Sequence, residues 1–147
     1  MDNNTQIVFR LVVITTEQFA IIEESFNKEV DIKIQLDFRF DADEKQKLVA
    51  VFNKFTFSSN EKQFLLIEAG CHFAISEDSW NEMLDQRLKK LTVSKELLQH
   101  LTMITIGTSR GILHAKTENT PFNQFNIPLI NLEELIKDDK TLDLKVE

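Results

Sequence analysis

The chain has no tyrosine, one cysteine, one tryptophan, three glycines and two prolines in 147 residues. Each scarcity excludes something. With Cys71 alone, no intrachain disulfide can form. There is no Gly-rich phosphate loop, and the HExxH and CxxC metal patterns are missing too. Ser109 lacks the GxSxG surround of a nucleophile elbow. No apolar run approaches the roughly 18 residues of a membrane span. The opening MDNNTQIVFRLVVITT has no basic segment before its apolar run and no small-residue cleavage pattern after it. No signal peptide is therefore expected, and the cytoplasm is the simplest location. Positive charge is also short: 17 Lys and Arg against 24 Asp and Glu leave a net charge of −7. That balance disfavours nucleic acid and anionic membrane surfaces as partners.

What is present is apolar bulk, 42% of the residues, with twelve phenylalanines. A single domain over residues 1–147 is expected, and a chain of this size buries roughly 68–70% of its unfolded surface. Residues 7–16 (IVFRLVVITT) read as a first strand. Residues 17–28 have helical spacing at Phe19, Ile22 and Phe26 but are short, and are left as a connection. Residues 30–41 (VDIKIQLDFRFD) alternate strictly: Val30, Ile32, Ile34, Leu36, Phe38 and Phe40 on one face, polar residues on the other. This is a strand with one buried and one wet face. Residues 47–57 and 63–76 give strands three and four, and short polar turns join them into an antiparallel meander. Gly70 in the fourth strand marks a bulge or a close approach.

After residue 78 the period changes. Ser79 and Glu82 fit a capping box for a helix over residues 80–89. Ser94 caps a second, long helix, with Leu97, Leu101 and Ile104 as its stripe and Leu98, Met103 and Ile106 widening it. So broad an apolar arc asks for cover on more than one side, and self-association is inferred from it. Gly107 and Gly111, at i and i+4, line one helix face where another backbone could approach; alternatively Gly111 ends the helix. Pro121 and Pro128 bracket an extended crossing. Asn131 then caps a last short helix, with Glu134 at its third position and Ile130 and Leu135 as a staple. Residues 137–147 are expected to fray. The fold class is thus α+β: a four-stranded antiparallel sheet with a long helix and a short C-terminal helix on one side.

Chemistry is harder to find. Cys71 and His72 are neighbours in a strand, so their side chains point to opposite faces, and Cys71 reads as a core thiol. His100 and His114 on one helix would lie about 21 Å apart, too far for one metal. Asp31, Asp37 and Asp41 share a strand face with Lys33 and Arg39, which reads as a solvated surface. No enzyme, catalytic residue, metal or cofactor is expected.

The order of elements resembles the SecB protein-export chaperone family. FNKEVDIKIQLD (residues 26–37), FLLIEAGCHFAI (64–75), and SRG (109–111) followed by FNIPLINLEELI (125–136) carry the likeness. It covers roughly residues 6–137, and its specificity lies in the order and spacing of these segments. The resemblance implies a homotetramer, a dimer of dimers, with long helices sandwiched between sheets, and Gly107 and Gly111 at the helix–helix assembly face. It implies ATP-independent holding of unfolded preproteins or other non-native chains in grooves lined with aromatic and aliphatic residues; physically this needs exposed apolar surface plus sheet-edge backbone, which could add a strand of client. By position Phe26, Phe64 and Leu132 correspond to client-binding residues, with core as the competing role for each. Glu68 stands near the position that faces the SecA motor. The chain ends KDDKTLDLKVE with no cysteine after Cys71, unlike the family's zinc tail, so SecA docking is in question. A dedicated module for one partner, such as an antitoxin or one exported client, is the alternative function.

Overall fold

The computed structural model describes residues 6–144. The expected α+β architecture is present. Strands β1 (Phe9–Ile21), β2 (Ile32–Asp43), β3 (Leu48–Ser59) and β4 (Lys62–Ile75) form one antiparallel sheet. Its order is β1-β4-β3-β2. The meander therefore spans β2 to β4, and β1 lies against β4 rather than β2.

β1 runs five residues past the expected end at Thr16. Register shifts between Leu11 and Val13, and between Thr16 and Gln18, break its alternation. That is why its second half resembles a helix in sequence. A 3-10 turn, Glu23–Ser25, follows it.

The alternating positions of β3 and β4 make the core. Val49, Val51, Phe55 and Phe57 on β3, and Leu65, Ile67, Cys71 and Phe73 on β4, are at most 1% exposed. Gly70 is not a bulge but a seat. A Cβ there would lie 2.5 Å from the Phe52 ring and 2.8 Å from the Thr15 hydroxyl. The ring lies over the glycine on the sheet's outer face, with His72 edge-on to it at 5.5 Å.

Two corrections concern the middle of the chain. The first short helix, α1 (Glu77–Met83), is capped by Ser76, whose hydroxyl accepts from the Ser79 N–H at 3.3 Å. Ser79 instead accepts from the Val8 N–H at 2.8 Å, tying the start of the first strand to this helix. The expected helix over residues 80–89 stops at Met83, and a hairpin replaces the rest: β5 (Leu84–Asp85) and β6 (Lys90–Val93). The tail expected to fray contains β7 (Lys140–Asp143), which pairs with β6; residues 145–147 lie outside the described residues. Trp80, Leu91, Val93, Leu142 and Leu144 close a compact extension of the core beneath this second sheet. A parallel bridge from Leu144 to Ala42 joins it to the edge of β2.

The long helix α2 (Lys95–Thr117) packs on β3 and β4. Ser94 caps it as expected, accepting from the Leu97 N–H. It passes straight through Gly107 and Gly111, so Gly111 does not end it. Asn119, at φ 65°, takes the left-handed position just beyond its end. The inner face is Leu98, Leu101, Thr105, Ser109, Leu113 and Thr117; Met103 is 61% exposed and points away. Thr105 and Thr117 satisfy their hydroxyls on the carbonyls of Leu101 and Leu113. Ser109 donates to the buried Asn53 side chain of β3.

Pro121 opens a 3-10 turn, Pro121–Gln124, capped by Thr120, where an extended segment was expected. Proline suits the first position of such a turn because its missing N–H has no partner to lose. The chain then extends through residues 125–131 to α3 (Leu132–Leu135), a single turn capped by Asn131.

Candidate functional site

β2 is an edge strand, and its groove-side row is only partly covered. Ile34 is 41% exposed, with Leu36 and Phe38 half-buried beside it. Facing them across a groove of about 480 Å3 is the extended arm. Pro128, Leu129, Ile130 and Leu135 form its wall, Phe55 lies at the bottom, and Asn131 and Glu134 stand on the rim. Leu129 is 95% exposed and Leu135 is 55% exposed. Side chains so apolar and so open are costly in water, by roughly 1.5–3 kcal/mol per leucine relative to burial.

The arm is held from α2. Arg110 donates from Nε to the Ile127 carbonyl at 3.1 Å and from Nη2 to the Pro128 carbonyl at 3.0 Å. Gln99 donates to the Ile136 carbonyl at 2.7 Å. Ile127, Leu132 and Ile136 are buried and anchor the arm beneath. The guanidinium fork is the natural group for two adjacent carbonyls. Arg110→Ala removes both charge-assisted hydrogen bonds and is expected to speed amide exchange at Glu134 and Ile136, whose N–H groups bond back into the arm, by about tenfold or more. Arg110→Lys, with a single ammonium, should recover only part of the protection. Hydrogen–deuterium exchange read by mass spectrometry checks both.

The residues singled out in the sequence fall elsewhere. Phe26 and Phe64 come together, with ring centroids 4.8 Å apart, in a cluster with Phe122 and Phe125. Phe64 is fully buried and Phe26 partly so. A one-residue bulge of β4 brings Phe64 there: Phe57 pairs with Leu65, and the adjacent Ser58 with Gln63. Phe64 thereby joins Leu65 in the core. Leu132 is 5% exposed and packs in the core rather than lining the groove.

Glu68 lies on the sheet face opposite the helix, with its side chain 14% exposed. It accepts from Gln18 at 2.8 Å and faces the Arg39 guanidinium at 3.9 Å. That guanidinium sits 3.8 Å from the centroid of the Phe52 ring. Gly107 and Gly111 are open: nothing in the chain comes within 4 Å of a Cβ placed on either. Cys71 is buried, its thiol 3.5 Å from the Thr108 hydroxyl.

Sequence reasoning missed the groove's walls because Ile34 and Leu129 are far apart in the chain and look like core in their own segments. The one available signal was Leu129 itself, an apolar residue directly after Pro128 in a stretch with no alternation to bury it.

Among the solved structures with a similar fold are two that align over most of this chain. One is a SecB-like chaperone of Mycobacterium tuberculosis in complex with a ChAD peptide from an antitoxin. It is 9% identical, with a TM-score of 0.40, over 86% of this chain and 90% of that one. The other is a Streptococcus agalactiae protein of unknown function, 11% identical, with a TM-score of 0.41, over 86% and 100% of the two chains. No family model and no curated protein matches the sequence. Neither structural likeness is strong enough to assign the chain to a family.

Proposed function

We propose that this protein is an ATP-independent holdase that binds extended stretches of unfolded polypeptide in the groove between β2 and the arm. The carrying observation is the groove itself: exposed Ile34, Leu129 and Leu135 around half-buried Leu36 and Phe38, beside a strand with a free edge. Such a surface suits a guest that brings apolar side chains and unpaired backbone together, which is the definition of a non-native chain. The resemblance of the sequence to the SecB family agrees, and with it go a cytoplasmic site of action and a place ahead of protein export. Binding, not catalysis, is the activity.

Assembly belongs to the same reading. Ten large apolar side chains are exposed among the described residues; five of them are Val8, Leu11, Val12, Val13 and Ile14, on or beside β1. β1 is the other edge of the sheet. Between Arg10 and Glu17 this edge carries no charge and exposes four apolar side chains in a row, which invites pairing with a second chain. Met103, Gly107 and Gly111 give α2 an open face of its own, which serves as the second contact of a dimer of dimers. Val13→Lys combined with Ile14→Lys is expected to convert the oligomer to monomer, read by size exclusion with light scattering. Wild-type protein that is monomeric at tens of micromolar would remove the assembly from the proposal.

The test of function is suppression of aggregation. A chemically unfolded client diluted into a molar excess of the protein, without nucleotide, should stay soluble. No protection across several unrelated clients would defeat the general holdase reading. Tight binding of one partner alone would leave a dedicated module in its place.

A further inference from the structure

We propose that the guest pairs through its backbone with the free edge of β2, as a fifth strand along residues 32–39, and that β7 fixes where it must stop. This rests on the groove reading above and specifies how the groove is used.

β2 is paired with β3 along its whole length without a register shift. On its other side, one partner is present among the described residues: the parallel bridge between Ala42 and Leu144. The chain's own C-terminal segment therefore already does, at one end of this edge, what a guest would do along the rest. Among the described residues no backbone hydrogen bond from outside the sheet reaches residues 32–39.

The devices that usually blunt an edge are missing from the groove side. Protective charges, prolines and bulges keep strand edges from recruiting other chains. Here β2 has no proline and no bulge, and its charges, Lys33, Asp37, Arg39, Asp41 and Asp43, all fall on the opposite face from Ile34, Leu36 and Phe38. The edge is open where the apolar row is.

Geometry then sets what the guest must look like. Strand side chains alternate, so every second guest residue enters the groove between β2 and the wall of Leu129 and Leu135. The residues between lie beside Lys33, Gln35, Asp37 and Arg39 in solvent. The preferred segment is about eight residues of alternating apolar and polar character, at roughly 3.3 Å each. One end is closed, because Leu144, the residue after β7, bridges the edge at Ala42 and the Lys140 ammonium of β7 stands 5.9 Å from the Phe40 ring centroid. The other end, at Ile32, is open, so a longer chain can overrun there. With Glu134 on the rim and a net charge of −7, basic flanks on the guest are favoured.

The test uses full-length protein and a fluorescent synthetic peptide: four leucine–threonine repeats flanked by lysines. Each peptide amide is N-methylated in turn, and affinity is read by anisotropy. Strand addition predicts a period of two. Methylation at alternate positions should weaken binding by about tenfold or more, the loss of one hydrogen bond with a steric penalty, and the positions between should change little. Small, even effects at all positions, with binding still abolished by Leu129→Asp, would overturn strand addition and leave the groove standing. Failure of the parent peptide to bind at all would overturn both.

Discussion

Leu129→Asp combined with Leu135→Asp is expected to abolish client holding while the fold survives. Both side chains stand in solvent, at 95% and 55% exposure, so their loss removes little from the folded state. Surface changes of this kind shift stability by about 0.5 kcal/mol or less. Binding is another matter. A guest that covers two leucines gains roughly 1.5–3 kcal/mol from each, and every 1.4 kcal/mol is about tenfold in affinity. Losing both should therefore weaken binding by at least about a hundredfold, and the carboxylates add a desolvation cost. Thermal melts should match wild type to within a few degrees. A double variant that still prevents aggregation would show that guests bind elsewhere.

Phe64→Ala is expected to do the reverse: a large loss of stability with no direct effect on guest contact. Phe64 sits at the bulge of β4, with Phe26, Phe125, Phe122 and Phe57 rings at 4.8, 5.1, 6.0 and 6.4 Å. Truncating a fully buried phenylalanine costs about 3–5 kcal/mol, a large part of the 5–15 kcal/mol typical of a domain. The bulge leaves the surrounding rings poorly able to collapse into the space, because each is held by its own strand or turn. Urea unfolding followed by the fluorescence of buried Trp80 measures it. Where the variant remains folded, its affinity for the probe peptide should stay within about twofold of wild type. A loss of affinity larger than that, in folded protein, would return Phe64 to the binding surface. Phe26→Ala, partly exposed already, should cost about half as much.

The contrast between these variants tracks what could be read from residues alone. β2 was legible because its alternation is unbroken, β3 and β4 because β-branched and aromatic runs lie between polar turn clusters, and Asn131 and Ser94 were legible as caps because little else explains them. β1 was half-read because two register shifts reset its period. α1 was mis-capped by three residues: Ser79 and Glu82 satisfy the local capping pattern, but a long-range bond to Val8 claims the Ser79 hydroxyl. β7 was invisible because KTLD is short and polar, and its partner β6 is only four residues squeezed between one expected helix and the cap of the next. The candidate groove was the least legible part. Ile34, Leu36 and Phe38 look like a core face, and only the arm's distant placement shows that they are open.

The bond between Ser109 and Asn53 fixes more than itself. It ties α2 to the sheet by a side chain to side chain hydrogen bond, where the neighbouring Thr105 and Thr117 hydroxyls bond only within the helix, and so favours one azimuth of α2. The next residue along that helix is Arg110, whose fork carries the arm. Rolling the cylinder by one residue would swing the fork through about 100° and take the wall of the groove with it. The shape of the cleft at the surface therefore depends in part on a hydroxyl-to-amide contact in the interior, alongside the Gln99 bond and the buried anchors of the arm.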